Sequence, residues 1–430
     1  MSIGRIVLGV CVLIAVAIGA FVAWTWRPAL TPIEPPAASA FDAARIARGA
    51  TLAAIGNCAP CHTTGGGRAF AGGLRIPTPF GTVYSTNITP DGESGIGTWS
   101  EAAFRRAMRD GVDRAGNYLY PAFPYDHFAK VSDSDLDAIY AFLMTRESVR
   151  AAALPNKLLF PLDIRLLVAG WQLLFLNDAP FQPAPANSEI WNRGAYLVDG
   201  IGHCGSCHTP RNLLGAEKAQ QALAGGEAEG WDAPALNAAS PAPVPWTQEA
   251  LFDYLRHGRE PAHGVAAGPM RRVVSDLSRA PDADVHAIAV YLAALAGGTE
   301  EQRRQKAEAA HAFAKRQVWP AVGSETSDNG DGEQIFAGAC AVCHREGGTA
   351  SVALALSTTI NAPEPRNLIH IVLEGIAPEE GERGPIMPGF ADILTDQQVA
   401  ALVAYIRARF TERPAWSDVA ARVRHIRSGK

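Results

Sequence analysis

A chain of 430 residues has room for two to four domains of ordinary size. Its 43 acidic side chains against 38 basic ones leave a net charge of −5, which excludes the basic excess of a nucleic-acid binder. Thirty prolines and forty-one glycines exclude one long sheet and suit a loop-rich chain whose cores form around a bound group.

After Arg5 the chain runs uncharged from Ile6 to Trp24, a stretch about long enough to cross a bilayer core as a helix. Trp24 and Trp26 stand where interfacial aromatics belong. A cleaved signal has a shorter apolar region, and the small-residue stretch Ala38-Ser39-Ala40 lies well beyond the run. Residues 1–27 are therefore read as a retained anchor. Cys11 follows Val10, which does not suit lipoprotein cleavage, so it is read as a small apolar residue facing lipid. A proline- and alanine-rich linker, 28–40, then lifts the next domain off the membrane.

Three Cys-x-x-Cys-His motifs follow: Cys58, Cys61 and His62; Cys204, Cys207 and His208; Cys340, Cys343 and His344. This is the attachment signature of c-type haem. Two cysteines three apart can each form a thioether to a haem vinyl group, and the adjacent histidine reaches the iron from the proximal side. A zinc site would draw four ligands from paired motifs, but these pairs lie more than a hundred residues apart. A redox dithiol has no use for the histidine. The motifs therefore predict three covalently bound haem c groups. Attachment of this kind in bacteria implies export, which places the haem domains on the periplasmic side of a single-pass inner-membrane protein.

Repetition sets the domain boundaries. Arg48-Gly49-Ala50-x-Leu52 precedes the first motif and Arg193-Gly194-Ala195-x-Leu197 the second, with a looser counterpart at Gly332–Phe336 before the third. Each unit closes on a 3.6-period amphipathic helix, expected at Ser132–Met144, Asp282–Leu295 and Thr395–Phe410. Aspartates near their starts suit helix N-termini. The predicted fold is all-α: three tandem class I-like cytochrome c domains at 41–150, 185–298 and 326–412, behind an N-terminal transmembrane helix. Between them lie an apolar connector, 151–184, and a charged linker, 299–325, in which the Glu, Gln, Lys, Arg and Ala of 299–318 read as a solvated helix. Within the connector, Pro161, Asp163 and Arg165 interrupt an otherwise membrane-like run, which is read as buried or interfacial. The tail, 413–430, reads as a solvated basic end rather than a docking surface.

The sixth iron ligands come from a scarce pool of five methionines. Met270 and Met387 sit in Gly- and Pro-containing loops ahead of the last helices of domains 2 and 3, where a His/Met haem takes its distal ligand. Domain 1 has Phe123 at the equivalent place, and phenylalanine cannot bind iron. Met108 is the first choice there, His127 the second and an open iron the third. Met144 reads as ordinary core.

Ser85-Thr86-Asn87-Ile88-Thr89-Pro90-Asp91, the run Gly202–Asn212 around the second motif, and Gly268-Pro269-Met270 carry a family resemblance. The exported part resembles the membrane-anchored tri-haem cytochrome c subunits of bacterial periplasmic dehydrogenases. Those serve quinoprotein alcohol, flavin-dependent gluconate and sorbitol, and molybdenum-containing aldehyde or N-heterocycle dehydrogenases. The Phe123 loop, the segment Ala169–Leu176 and the tail Arg413–Val419 look more like the molybdenum branch, as in nicotinate or isoquinoline dehydrogenases. The resemblance implies an electron relay rather than an enzyme. Its partner would be a molybdopterin subunit with an iron–sulfur subunit, and its acceptor ubiquinone or a terminal oxidase. A different class stays open: with an open first haem the chain would be a haem enzyme or sensor. Among motifs, no Rossmann glycine fingerprint or acid/base constellation stands out.

Overall fold

The uncharged N-terminal run forms one helix, Ile3–Thr25, long and apolar enough to cross a membrane. At 1.5 Å per residue its 23 residues span about 34 Å. The computed structural model describes residues 3–317, 331–345, 348–350, 352–378 and 383–429. The expected start of domain 3 at residue 326, the end of the charged linker and Lys430 lie outside them. The described chain divides into two compact units, one of residues 1–183 with 199–203, the other of 184–198 with 204–430.

In the first unit the end of the apolar helix is not free. Phe21 packs against Val112, Tyr118, Val168 and Ala169. The Tyr118 hydroxyl donates to the Thr25 carbonyl at 2.8 Å, and the Arg27 guanidinium lies 5.9 Å over the Tyr118 ring. The linker expected to stand as a spacer is instead laid along the domain. Leu30 N–H donates to Arg114 O at 2.8 Å and Ile33 N–H to Thr98 O at 3.0 Å. Two of the linker's backbone donors are thus spent on the domain.

The helical body of this unit is framed by two helices. Ala43–Ile55 is capped by the Asp42 side chain, and Asp133–Met144 by the Ser132 hydroxyl. They cross at Gly49, where an added Cβ would stand 1.9 Å from the Ala138 carbonyl oxygen. Leu52 and Ile55 on one helix and Leu136, Ile139 and Leu143 on the other are buried. Each such side chain contributes about 1.5–3 kcal/mol.

The second unit repeats the crossing twice. Glu189–Tyr196 meets Asp282–Ala294 at Gly194, whose Cβ would stand 2.0 Å from Ala287 O. Asp331–Ile335 meets Asp396–Phe410 at Gly332, whose Cβ would stand 2.4 Å from Ala401 O. The arginine before the first two glycines has its own task. Arg48 reaches Asp135 at 2.5 Å and Arg193 reaches Asp284 at 2.8 Å, each aspartate in the first turn of the closing helix.

One expectation is refined and another needs correction. The chain is predominantly helical but not purely so, because short antiparallel strands are inserted among the helices. Arg75–Thr78, Gly81–Tyr84 and Lys157–Leu158 form a three-stranded sheet in that order, and two further hairpins lie in the second unit. These strands run two to four residues, too short to display an alternating period in sequence. Nor is the tail a solvated basic end. Val419–Arg427 forms a helix that buries Val419 and Val423 in the third core, and Arg422 and Arg427 pair with Glu364 and Asp396. The connector is divided: in its helix Leu167–Phe175, Val168 and Ala169 face the core while Leu173 and Leu174 are each 68% exposed. The charged linker is the expected solvated helix, Glu300–Arg316, closed by a Thr299–Gln302 capping box.

Candidate haem sites

Each motif sits where an opening helix gives way. Ala43–Ile55 stops at Gly56, Asn57 takes a left-handed conformation at φ 51°, and Cys58–Cys61 form a helical turn with His62 directly after. Before the other two motifs the helix widens into a π-type turn, over Leu197–Ile201 and Phe336–Cys340. Gly205–His208 and Ala341–His344 then form the turns that carry His208 and His344. Before the second motif the helical path breaks at Gly200, which has φ −104° and ψ −110°.

The histidines are oriented by a second bond. His62 Nδ1 donates to Thr86 O at 2.6 Å, and His208 Nδ1 donates to Pro234 O at 2.7 Å. A carbonyl acceptor fixes the proton on Nδ1 and leaves the Nε2 lone pair for a metal. Burial holds both imidazoles below their ordinary basicity, while the carbonyl bond acts weakly the other way. A neutral ring is the form that ligates iron. His344 is also held down by burial, but its Nδ1 finds no hydrogen-bond partner among the described residues. Burial pushes the Cys340 thiol up to about 11, with the nearby Cys343 adding to the shift. Two adjacent sulfurs one turn apart, with a neutral imidazole oriented through Nδ1, fit a covalently held haem.

The distal candidates differ. Met270 is the second residue of the helix Pro269–Leu277, half-buried, behind Gly268 at φ 54°. Met387 is half-buried in a loop held by two backbone bonds with Ile376, at 2.9 and 2.8 Å. Phe123 packs on Phe128 at 5.2 Å between ring centroids, in a small aromatic group with Tyr125. Met108, on Glu101–Asp110, and His127, in the turn Tyr125–Phe128, are buried at 6% and 5% exposure. His127 Nδ1 meets Asp199 O at 2.9 Å. Met144 is core, as expected. Cys11 is exposed on the N-terminal helix.

Sequence reasoning missed His263. It is 2% exposed, stacks on Trp246 with centroids 3.5 Å apart, and neither ring nitrogen has a hydrogen-bond partner among the described residues. Its position seven residues before Met270 is the only hint a sequence offers. Trp231, His370 and the tasks of the arginines before the crossing glycines were also invisible, because their partners lie far along the chain.

Comparison with known proteins adds a family. The cytochrome c family model matches residues 46–147 and 330–409. Over 410 residues, 94% of its length, the chain is 48% identical to one of the nicotinate dehydrogenase subunits of Pseudomonas putida; it spans about a third of that relative (33%). It is 39% identical to the gluconate 2-dehydrogenase cytochrome c subunit of Pantoea cypripedii, covering 85% of each chain. It is also 37% identical to a dihaem c-type cytochrome of Cereibacter sphaeroides over 65% of this chain and 94% of the relative.

Proposed function

The chain belongs to the cytochrome c subunits of dehydrogenase complexes, and from that premise we propose a three-haem relay that carries electrons from a periplasmic dehydrogenase to ubiquinone or a terminal oxidase. The chain is an electron-transfer subunit and not itself the catalyst. One observation supports the count of three: the same glycine crossing leads into each of three Cys-x-x-Cys-His turns. We read these as three tandem class I-like domains behind a single-pass anchor, with the domains in the periplasm.

Haem c supplies reversible one-electron chemistry at its iron. The chain's own residues do the rest. Cys58 and Cys61, Cys204 and Cys207, and Cys340 and Cys343 hold the groups covalently, and His62, His208 and His344 are the proximal ligands. Met270 and Met387 serve as distal ligands of the second and third haems, with Met108 on the first and His127 as its alternative. The carbonyls of Thr86 and Pro234 keep His62 and His208 neutral and aligned.

The partner is a molybdopterin hydroxylase with an iron–sulfur subunit. The 48% identity to a nicotinate dehydrogenase component supports this branch, alongside the Phe123 loop and the tail. A quinoprotein or flavoprotein partner is the second reading, supported by the gluconate dehydrogenase relative. Purification of the native complex tests both points. Three covalent haems per chain by pyridine haemochrome, with stoichiometric molybdenum, are expected. Two haems or fewer would refute the count, and bound PQQ or flavin without molybdenum would refute the partner.

A further inference from the structure

We propose that Trp231 and His370 form the bridge across which electrons pass between the second and third haem sites, an inference that rests on the relay proposed above. The two rings stack with centroids 4.5 Å apart and planes 20° apart. Trp231 belongs to the hairpin Gly226–Ala228 and Trp231–Ala233, and His370 to the helix Arg366–Glu374.

Each ring is tied to one iron site. At the base of the hairpin, a Cβ on Gly226 would stand 2.3 Å from Cys207 O, and Pro234 O accepts from His208 Nδ1. At its tip the Trp231 ring lies so close to Gly268 that a Cβ there would stand 2.5 Å from it, two residues before Met270. The hairpin thus touches both the proximal and the distal loops of the second site. On the other side, the helix carrying His370 ends at Gly375, where a Cβ would stand 2.3 Å from Met387 O. Ile376 then exchanges both backbone bonds with Met387. The order from one methionine to the other is Met270, Gly268, Trp231, His370, Gly375 and Met387, by bonds or van der Waals contact.

The His370 ring is held by its own bonds, and separate polar contacts that involve neither ring join the two regions. His370 Nδ1 meets Glu374 Oε1 at 2.5 Å and its Nε2 meets Gly230 O at 3.2 Å, which fixes the ring's orientation. Asp232 and Asn367 exchange bonds at 2.8 and 2.7 Å, and Arg366 reaches Glu227 at 2.5 Å. Arg271, next to Met270, donates to Ala377 O at 2.8 Å. These polar contacts already join the two haem regions, so the ring pair is not needed to hold them together. Tunnelling through closely packed atoms is faster than across a gap, and two stacked rings fill the space between the methionine loops with continuous matter. Trp231 and His370 are positioning residues in this sense: Trp231 touches the Met270 loop, His370 lies on the helix that ends at the Met387 loop, and their stack supplies the path between.

The test uses the exported, haem-loaded full chain. A flash-generated reductant injects one electron, and the intramolecular redistribution between haems is followed by absorbance. Trp231→Ala should slow the interhaem phase about tenfold, and Trp231→Phe, which keeps a ring, should stay within about threefold of the native rate. Haem content and midpoint potentials should not move in either. Asn367→Ala, which weakens the same interface without touching the stack, should leave the rate unchanged. A native rate in Trp231→Ala, or equal slowing in Asn367→Ala, overturns the proposal. Should Trp231→Ala lose haem, His370→Leu keeps the volume and removes the stack; it should slow the phase similarly, and a native rate there is equally fatal. A native protein with no intramolecular phase would instead refute the relay.

Discussion

An imidazole meant for iron must be neutral and must offer one nitrogen, and at residue scale burial and a carbonyl acceptor accomplish both at His62 and His208. Motif spacing nominates these residues, but not the carbonyls of Thr86 and Pro234, which lie 24 and 26 residues away. His263 shows the opposite case, a buried ring left without hydrogen-bond partners among the described residues. Burial pushes its pKa from 6.5 down to about 3. Between those values the unfolded chain binds a proton that the folded chain refuses. Stability is therefore complete above pH 6.5 and falls as pH drops toward 3, by up to about 1.4 kcal/mol per pH unit. Denaturant titrations of the native protein and His263→Phe at pH 7, 6, 5 and 4 should show a shallower slope in the variant; matching slopes would remove His263 as the cause. The first haem's distal ligand is tested by the near-infrared sulfur-to-iron band. Met108→Ala should remove about one third of its intensity. An unchanged band, with a new high-spin signal in His127→Ala, would assign the site to His127.

The closing helices were legible because two signals agreed: the period and the aspartates near their starts. The structure places them at Asp133–Met144, Asp282–Ala294 and Asp396–Phe410, within a residue of expectation at each end. Ser132 and Thr395 provide the side-chain caps, while Pro281 makes none. The repeated glycine was visible too, but its reason was not. Gly194 lets two helices approach until only a hydrogen fits. Gly194→Ala gains roughly 1 kcal/mol of helix propensity. It also forces a methyl group to within 2.0 Å of a backbone carbonyl that cannot rotate away. Overpacking costs about 1–3 kcal/mol and should win. Chemical denaturation should show a net loss of stability; a gain would mean the helices separate at no cost. The short hairpins were missed because two or three residues carry no period, and only their partners define them.

At the scale of the molecule, the N-terminal apolar helix and the helical unit after it are less separable than a spacer would make them. Phe21 and Thr25 pack on the domain, and Tyr118 bonds to the helix end. Deleting residues 1–20 behind a cleavable export signal should release a soluble haem protein with its Tm kept, since Phe21 onward remains. Deleting 1–27 should also release it, but with a lower Tm, because Val112 and Tyr118 lose their cover. Retention of either form in carbonate-washed membranes would count against the anchor reading.

The sequence by itself determined the cofactor chemistry, because thioether attachment needs two cysteines at one spacing and a histidine beside them, all local in the chain. It likewise determined the long helices, the apolar N-terminal segment and the family resemblance. Tertiary structure decided what depends on groups distant in sequence: the carbonyls that orient the histidines, the tail helix folded into the third core, and the Trp231–His370 stack. Those contacts join residues up to about 140 positions apart. A periodic pattern reports which face of an element is apolar, but not which other element will cover it.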